Sequence, residues 1–187
     1  YKEEQHFKHN VNFKENDFYI GQSLSNVYIR TKFEAEKNIF DAITKGLDAY
    51  ILRVGNLMPR YQDGKFQQNS KENAYLNRLL AFLEIGAIPD TLLDGYLEFT
   101  PIDYTADSVI ELVSHPSKQN RVFHLFNDNH IKIVEFLHLL KLQNYVIDVV
   151  PENVFKATIK DILKDDSRKN ILNNLLNDFD KDLNLSY

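Results

Sequence analysis

Gly46-Leu-Asp-Ala-Tyr-Ile-Leu-Arg-Val-Gly-Asn56 decides how this chain folds. Ala49 to Val54 is short, apolar and bounded by Gly46 and Gly55, the pattern of a strand buried in a parallel sheet. A helix stopped by Gly46, a turn of two or three residues and then such a strand make half of a βαβ unit. Gly55-Asn56 lets the backbone turn sharply at the strand's carboxyl end. Open α/β sheets bind their ligands at those ends.

Upstream, Ser25 or Asn26 can cap a helix that runs to about Lys45. The i, i+3, i+4 rule predicts Ala35, Ile39, Ala42 and Ile43 as its buried stripe. Tyr28 and Lys32 lie off that stripe, four residues apart, which stacks a phenol and an ammonium on one helical face. An ammonium held beside a phenol favours loss of the phenol's proton, which suits acid–base work near neutrality. The plain alternative is a solvated pair with a weak cation–π contact. Residues 1–24 are polar with scattered rings (Phe7, Phe13, Phe18 and Tyr19) and read as an irregular connection that packs a few aromatics elsewhere.

Downstream, Tyr61 to Asn73 is polar and turns at Asp63-Gly64. A helix follows with Ala74, Leu76, Leu79, Leu80 and Leu83 as its apolar face; Gly86 ends it and Pro89-Asp90 marks a loop. Leu97 to Ile102 reads as extended because of Pro101, and Asp103 can cap a helix through Val113. Arg121 to Phe126 is a second strand, Ile131 to Leu142 an amphipathic helix, and Tyr145 to Val150 a third strand ended by Pro151. The remainder is helical, interrupted near Asp165-Asp166-Ser167, with Leu172, Leu175, Leu176 and Phe179 as its stripe. No internal repeat is present. This order of elements says α/β.

Composition narrows the classes of function. The 187 residues carry a net charge of −5 and no cysteine. The charge argues against a nucleic-acid surface, which needs clustered Lys and Arg. Without cysteine there is no disulfide, thiolate zinc site or Cys nucleophile, and a cytoplasmic location is expected. No apolar run is long enough to cross a bilayer, so no membrane partner is expected. The six histidines lack metalloenzyme spacing; His124 lies in an apolar strand and reads as a satisfied core residue, and no metal is expected. No Gly-x-Ser-x-Gly elbow supports a serine hydrolase. Tyr1 and the polar start suggest part of a longer polypeptide.

The run Asn26-Val-Tyr28 … Thr31-Lys32-Phe-Glu-Ala-Glu36, then Gly46-Leu-Asp, then Ile51-Leu-Arg-Val-Gly-Asn-Leu57, resembles the extended short-chain dehydrogenase/reductase family. Within it the chain is most similar to the thioester reductase domains that end nonribosomal peptide synthetases, those of aureusimine type among them. Asp63-Gly-Lys-Phe-Gln67, Gly86-Ala-Ile-Pro-Asp90, Glu98-Phe-Thr-Pro-Ile-Asp103 and Val122-Phe-His-Leu125 match the same subgroup, and the likeness runs from about Tyr19 to Phe155.

The resemblance implies the carboxyl half of a Rossmann-like domain. Residues 1–60 would belong to the dinucleotide-binding region and 61–187 mainly to a mostly helical substrate-binding subdomain, with segments at about 121–150 returning to the Rossmann sheet. It implies NADPH as cofactor and, as partner, a peptidyl carrier protein bearing a phosphopantetheine-linked peptide, released as an aldehyde. Tyr28 would donate the proton and Lys32 would hold the nicotinamide ribose. Val54, Gly55, Asn56 and Leu57 would contact the nicotinamide end, while Arg60, Phe66 and Gln67 would shape the acyl pocket. The chain departs from the family in having Thr31 before the lysine and Met58-Pro59 after the Gly-Asn-Leu stretch. It also lacks the Gly-rich phosphate loop and the Ser or Thr of the catalytic triad, so a missing N-terminal half is an expected partner and the 187 residues alone are expected to be inactive. Two rival expectations are another extended reductase, such as a fatty acyl reductase or nucleotide-sugar epimerase, and a non-catalytic module that docks a carrier protein.

Overall fold

A computed structural model describes residues 13–116 and 120–164, which form two compact units. One unit runs to Gly55 and resumes at Thr105–Phe126; the other holds Asn56–Tyr104 and the residues from Asn127 onward. In chain order the elements are α1 (Val27–Thr44), β1 (Ile51–Val54), β2 (Leu57–Met58), α2 (Ala74–Ile85), β3 (Ala87–Pro89), β4 (Tyr96–Leu97), β5 (Thr100–Pro101), α3 (Ile102–Ser114), β6 (Val122–Leu125), β7 (Ile131–Lys132), α4 (Ile133–Leu142), β8 (Asp148–Val150) and α5 (Glu152–Leu163). The architecture is mixed α/β, with three parallel strand pairs and one antiparallel pair among the described residues.

In the first unit the expected strand forms as β1 and pairs in parallel with β6, Ile51 opposite Val122 and Arg53 opposite His124. The turn before it uses Gly46 at φ +98, a conformation only glycine adopts without strain. The half-buried face of α1 keeps the 3.6-residue spacing and includes the expected Ile39, Ala42 and Ile43, but not Ala35. Ala35 is exposed, and the half-buried positions are Ile29, Phe33, Glu36, Ile39, Phe40, Ala42 and Ile43. The reason lies in what the helix meets. Phe18 stacks on Phe33 at 4.4 Å between ring centroids and meets Phe40 edge-on at 5.3 Å, while Tyr19 meets Phe33 edge-on. Aromatic pairs of this geometry select Phe33 and Phe40 over a small alanine. The early segment thus packs its rings as expected for Phe13, Phe18 and Tyr19; Phe7 lies outside the described residues.

The second unit holds the larger core. Leu79, Ala81 and Phe82 of α2, Ile88 of β3, Leu97 of β4, Ile133 of α4 and Phe155, Ile159 and Ile162 of α5 form one buried cluster. Within α2 the inward face is Leu79, Ala81 and Phe82, whereas Leu80 and Ala74 are exposed. Gly86 ends α2 at φ +72, its N–H donating to the Phe82 carbonyl. The expected loop at Pro89 begins as a strand instead: β3 pairs in parallel with β8, and Pro89 is fully buried. The expected strand from Tyr145 shortens to Asp148–Val150, because Asn144 at φ 64 and the Tyr145 N–H bonded to the Leu140 carbonyl make a helix-end turn there. Leu172 to Phe179 lies outside the described residues.

Candidate active site

Tyr28 and Lys32 owe their places to the start of α1. Asn26 is its cap: the side-chain oxygen accepts the Tyr28 N–H at 2.9 Å and the Ile29 N–H at 3.2 Å. The cap satisfies donors that the first helical turn leaves unpaired. Thr31 donates its hydroxyl to the Tyr28 carbonyl at 2.9 Å. Lys32 Nζ lies 5.4 Å from the Tyr28 ring centroid, so the ammonium sits over the ring face. Tyr28 is 69% exposed, and Lys32 is exposed as well. Among the described residues no carboxylate pairs with the Lys32 ammonium. The helix therefore presents a phenol and an ammonium side by side, with the hydrogen-bonding capacity of both left for a ligand.

One turn beyond Lys32, Glu36 faces inward and meets Arg53 of β1. Arg53 Nε donates to Glu36 at 3.1 Å, and Nη2 closes the pair; both side chains are largely buried. The rest of the guanidinium is fully used. Nη2 donates to the Asp17 carbonyl at 2.7 Å, Nη1 donates to the Lys14 and Glu15 carbonyls, and the cation lies 4.6 Å from the Phe13 ring centroid. Nη1 also lies 3.2 Å from His124 Nε2. A guanidinium only donates, so Nε2 accepts and the imidazole is neutral. Burial first, and then the Arg53 charge, push the His124 pKa below its ordinary value; Glu15, Glu36 and Asp17 oppose them. Arg53 thus joins α1, β1, β6 and the chain before α1. Sequence reading assigned no role to Arg53 or Glu36, although a charge inside an otherwise apolar strand is itself a signal.

Val54 and Gly55 close β1 in the same unit, the Gly55 N–H donating to the Leu125 carbonyl at 3.0 Å. Asn56, Leu57, Arg60, Phe66 and Gln67 belong to the other unit. There, Asn56 is held at both backbone groups: Glu98 accepts its N–H at 2.6 Å, and its carbonyl accepts the Thr100 N–H at 3.0 Å. Leu57 lies in β2 opposite Thr100 of β5. Arg60 is exposed and turned into its own loop, its Nε 3.2 Å from Asp63 and its N–H bonded to the Lys65 carbonyl. Phe66 and Gln67 are half-buried. The loop is anchored by Asp103, whose carboxylate accepts the N–H groups of Tyr61 at 3.0 Å and Gln62 at 3.2 Å. Those bonds, the Tyr61 one foremost, pull the Asp103 pKa below its ordinary value. The structure brings Tyr28 and Lys32 together, and separately fixes Asn56 and Leu57.

Tyr28 and Lys32 offer outward donors, whereas the six glycines of the sequence form no Gly-x-Gly-x-x-Gly run to cradle a pyrophosphate. Among the described residues no cluster of His, Asp or Glu is suited to hold a metal ion, and no helix is long and apolar enough to cross a membrane.

A model of an NAD-binding family, described as male sterility protein, matches residues 1–109. The chain is 27% identical over 166 residues to the L-2-aminoadipate reductase large subunit of Candida glabrata, covering 87% of this chain and 12% of that protein. It is 24% identical over 127 residues to the glycine betaine reductase ATRR of Emericella nidulans, covering 67% of this chain and 10% of that protein. The chain therefore spans about a tenth of the length of these relatives. Among solved structures it is similar to a thiolation-reductase di-domain from an archaeal non-ribosomal peptide synthetase, with TM-score 0.71 and 34% identity over 89% of this chain and 33% of that one. It is also similar to the reductase domain of the aureusimine biosynthetic cluster, with TM-score 0.66 and 28% identity over 87% of this chain and 42% of that one. The terminal R domain of the myxalamid pathway, at 22% identity and TM-score 0.76 over 90% of this chain and 42% of that one, shares the fold.

Proposed function

The chain belongs to the male sterility protein family of NAD(P)-binding reductases, and from that premise we propose that it serves the reductive release of a carrier-bound peptidyl thioester as an aldehyde. The observation that carries this reading is the exposed Tyr28–Lys32 pair, held over one another on a capped helix with their polar ends unspent. The likeness to a thiolation-reductase di-domain and to the aureusimine cluster's reductase domain supports a carrier protein as the partner. NADPH, when bound, supplies the hydride that reduces the thioester carbon.

The chain's own residues do the rest. The Tyr28 hydroxyl donates a hydrogen bond, and then the proton, to the carbonyl oxygen as negative charge builds there. Lys32 holds the ribose hydroxyls and keeps a positive charge beside the phenol oxygen, steadying it after the proton has left. The backbone from Val54 to Leu57 lines the nicotinamide end. The loop with Arg60, Phe66 and Gln67 borders the acyl chain, and its anchoring by Asp103 keeps that wall in place. Loss of the carrier's thiol from the reduced carbon leaves the aldehyde.

Substitution in the intact protein tests this. Tyr28→Phe should cut turnover of a phosphopantetheine thioester by roughly a hundredfold to ten-thousandfold, with NADPH affinity little changed, because the phenol acts chiefly in the transition state. Lys32→Ala should weaken both turnover and NADPH binding. Undiminished aldehyde formation by Tyr28→Phe would rule out Tyr28 as the proton donor and leave these residues a non-catalytic docking role.

A further inference from the structure

We infer that Glu98 is a positioning residue for the reduction, acting by presenting the side chain of Asn56 to the bound cofactor. The inference rests on the reading above, in which residues 54–57 line the nicotinamide end. Every contact that carries it lies within one unit. Glu98 is half-buried and its carboxylate works with both oxygens: one accepts the Asn56 N–H at 2.6 Å, and the other accepts the hydroxyl of Thr100. Thr100 is buried, and its hydroxyl accepts the Asn127 N–H at 3.0 Å, so it cannot swing away to serve another partner. The Asn127 side chain donates to the Phe99 carbonyl at 3.0 Å, and the Glu98 N–H donates to the Tyr75 hydroxyl at 3.2 Å. The carboxylate is thus fixed from below before it grips the loop.

What it grips is unusual in one respect. Asn56 spends its N–H on Glu98 and its carbonyl on the Thr100 N–H, yet the residue is exposed and among the described residues its side-chain amide has no hydrogen-bond partner. A backbone pinned on both sides sets where the unspent amide starts from, so that only rotation of the side chain is left to be ordered when a polar ligand binds. The chemistry fits the carboxamide of a nicotinamide ring: a primary amide offers it one donor and one acceptor. A charged acceptor on a single N–H is also stronger than a neutral one, which suits a role in holding rather than in touching the ligand.

The test compares Glu98→Ala, Glu98→Gln and Asn56→Ala in the intact protein. NADPH affinity is measured by titration, turnover on a phosphopantetheine thioester by aldehyde formation, and folding by thermal melting. Glu98→Ala should raise the Kd for NADPH by about tenfold or more, the scale of a hydrogen bond to a charged group. Glu98→Gln should recover most of that loss, because its amide oxygen can accept from Asn56 while its NH2 donates to Thr100. Asn56→Ala should match the loss of Glu98→Ala, and the double variant should lose no more than either alone, since both act through one contact. A lowered melting temperature with an unchanged Kd, or losses that simply add, would overturn the inference. Should Glu98→Ala not fold, the Asn56→Ala and Glu98→Gln pair still decides: equal affinity of Asn56→Ala and the parent for NADPH refutes it. Tyr28→Phe, run in parallel, separates the two failures. If it abolishes turnover while Glu98 and Asn56 prove indifferent, the positioning role alone is wrong.

Discussion

His124 stands where opposing influences meet, and this makes its charge state a test of the Arg53 network. Arg53 needs an acceptor from it, while Glu15, Asp17 and Glu36 favour its protonation; burial and Arg53 win, and the folded pKa lies below 6.5. The sign follows. Above about pH 6.5 the ring is neutral in both states and its contribution is fully present. As pH falls through that value the unfolded chain takes the proton first, so stability drops until the folded value is also passed. Between about pH 7.5 and 5.5 the melting temperature should therefore fall more steeply for the parent than for His124→Gln. Parallel pH profiles would show that this ring does not couple to folding. At this scale the Tyr28–Lys32 pair was legible, because a four-residue spacing on a helix is local. Arg53 with Glu36 was not: the two are 17 positions apart, and no pattern of either element names the other. Glu98 with Asn56, 42 positions apart, was hidden for the same reason.

Among the elements, α1 is one that leans on its own end effects. None of its residues is fully buried, so tertiary packing gives it less support than α2 or α5 receive. Its cap matters correspondingly. Asn26→Ala should destabilise the protein by about 1 kcal/mol in urea titration, whereas Asn26→Ser should stay close to the parent, since a serine hydroxyl caps nearly as well. Equal midpoints for Asn26→Ala and the parent would mean that water serves the first turn equally well. The helices were readable where their stops were chemical: Gly46 ends α1 and Gly86 ends α2, as expected. Strand β3 was not readable. Three residues containing a proline carry no periodicity, and only the parallel partner β8 makes them a strand.

For the molecule as a whole, the buried cluster of the second unit is the feature on which its folding depends. Phe155 has no exposed surface and meets Phe82 at 5.9 Å between ring centroids. Phe155→Ala should cost roughly 3–5 kcal/mol in equilibrium denaturation, the range for removing a large ring from a packed core. A loss under about 1 kcal/mol would mean that the cavity collapses without penalty. The sequence by itself determined the α/β class, the Tyr28–Lys32 face and the glycine stops, because these rest on spacing, propensity and backbone conformation within a few residues. Only the tertiary structure decided which charged groups are spent and which are offered: Arg53 and Glu98 are consumed in holding α1 and Asn56, while Lys32 is left to solvent. That division depends on which distant segments lie side by side, and the hydrogen-bond partner of a buried charge is set by proximity in space, which the order of residues along the chain does not reveal.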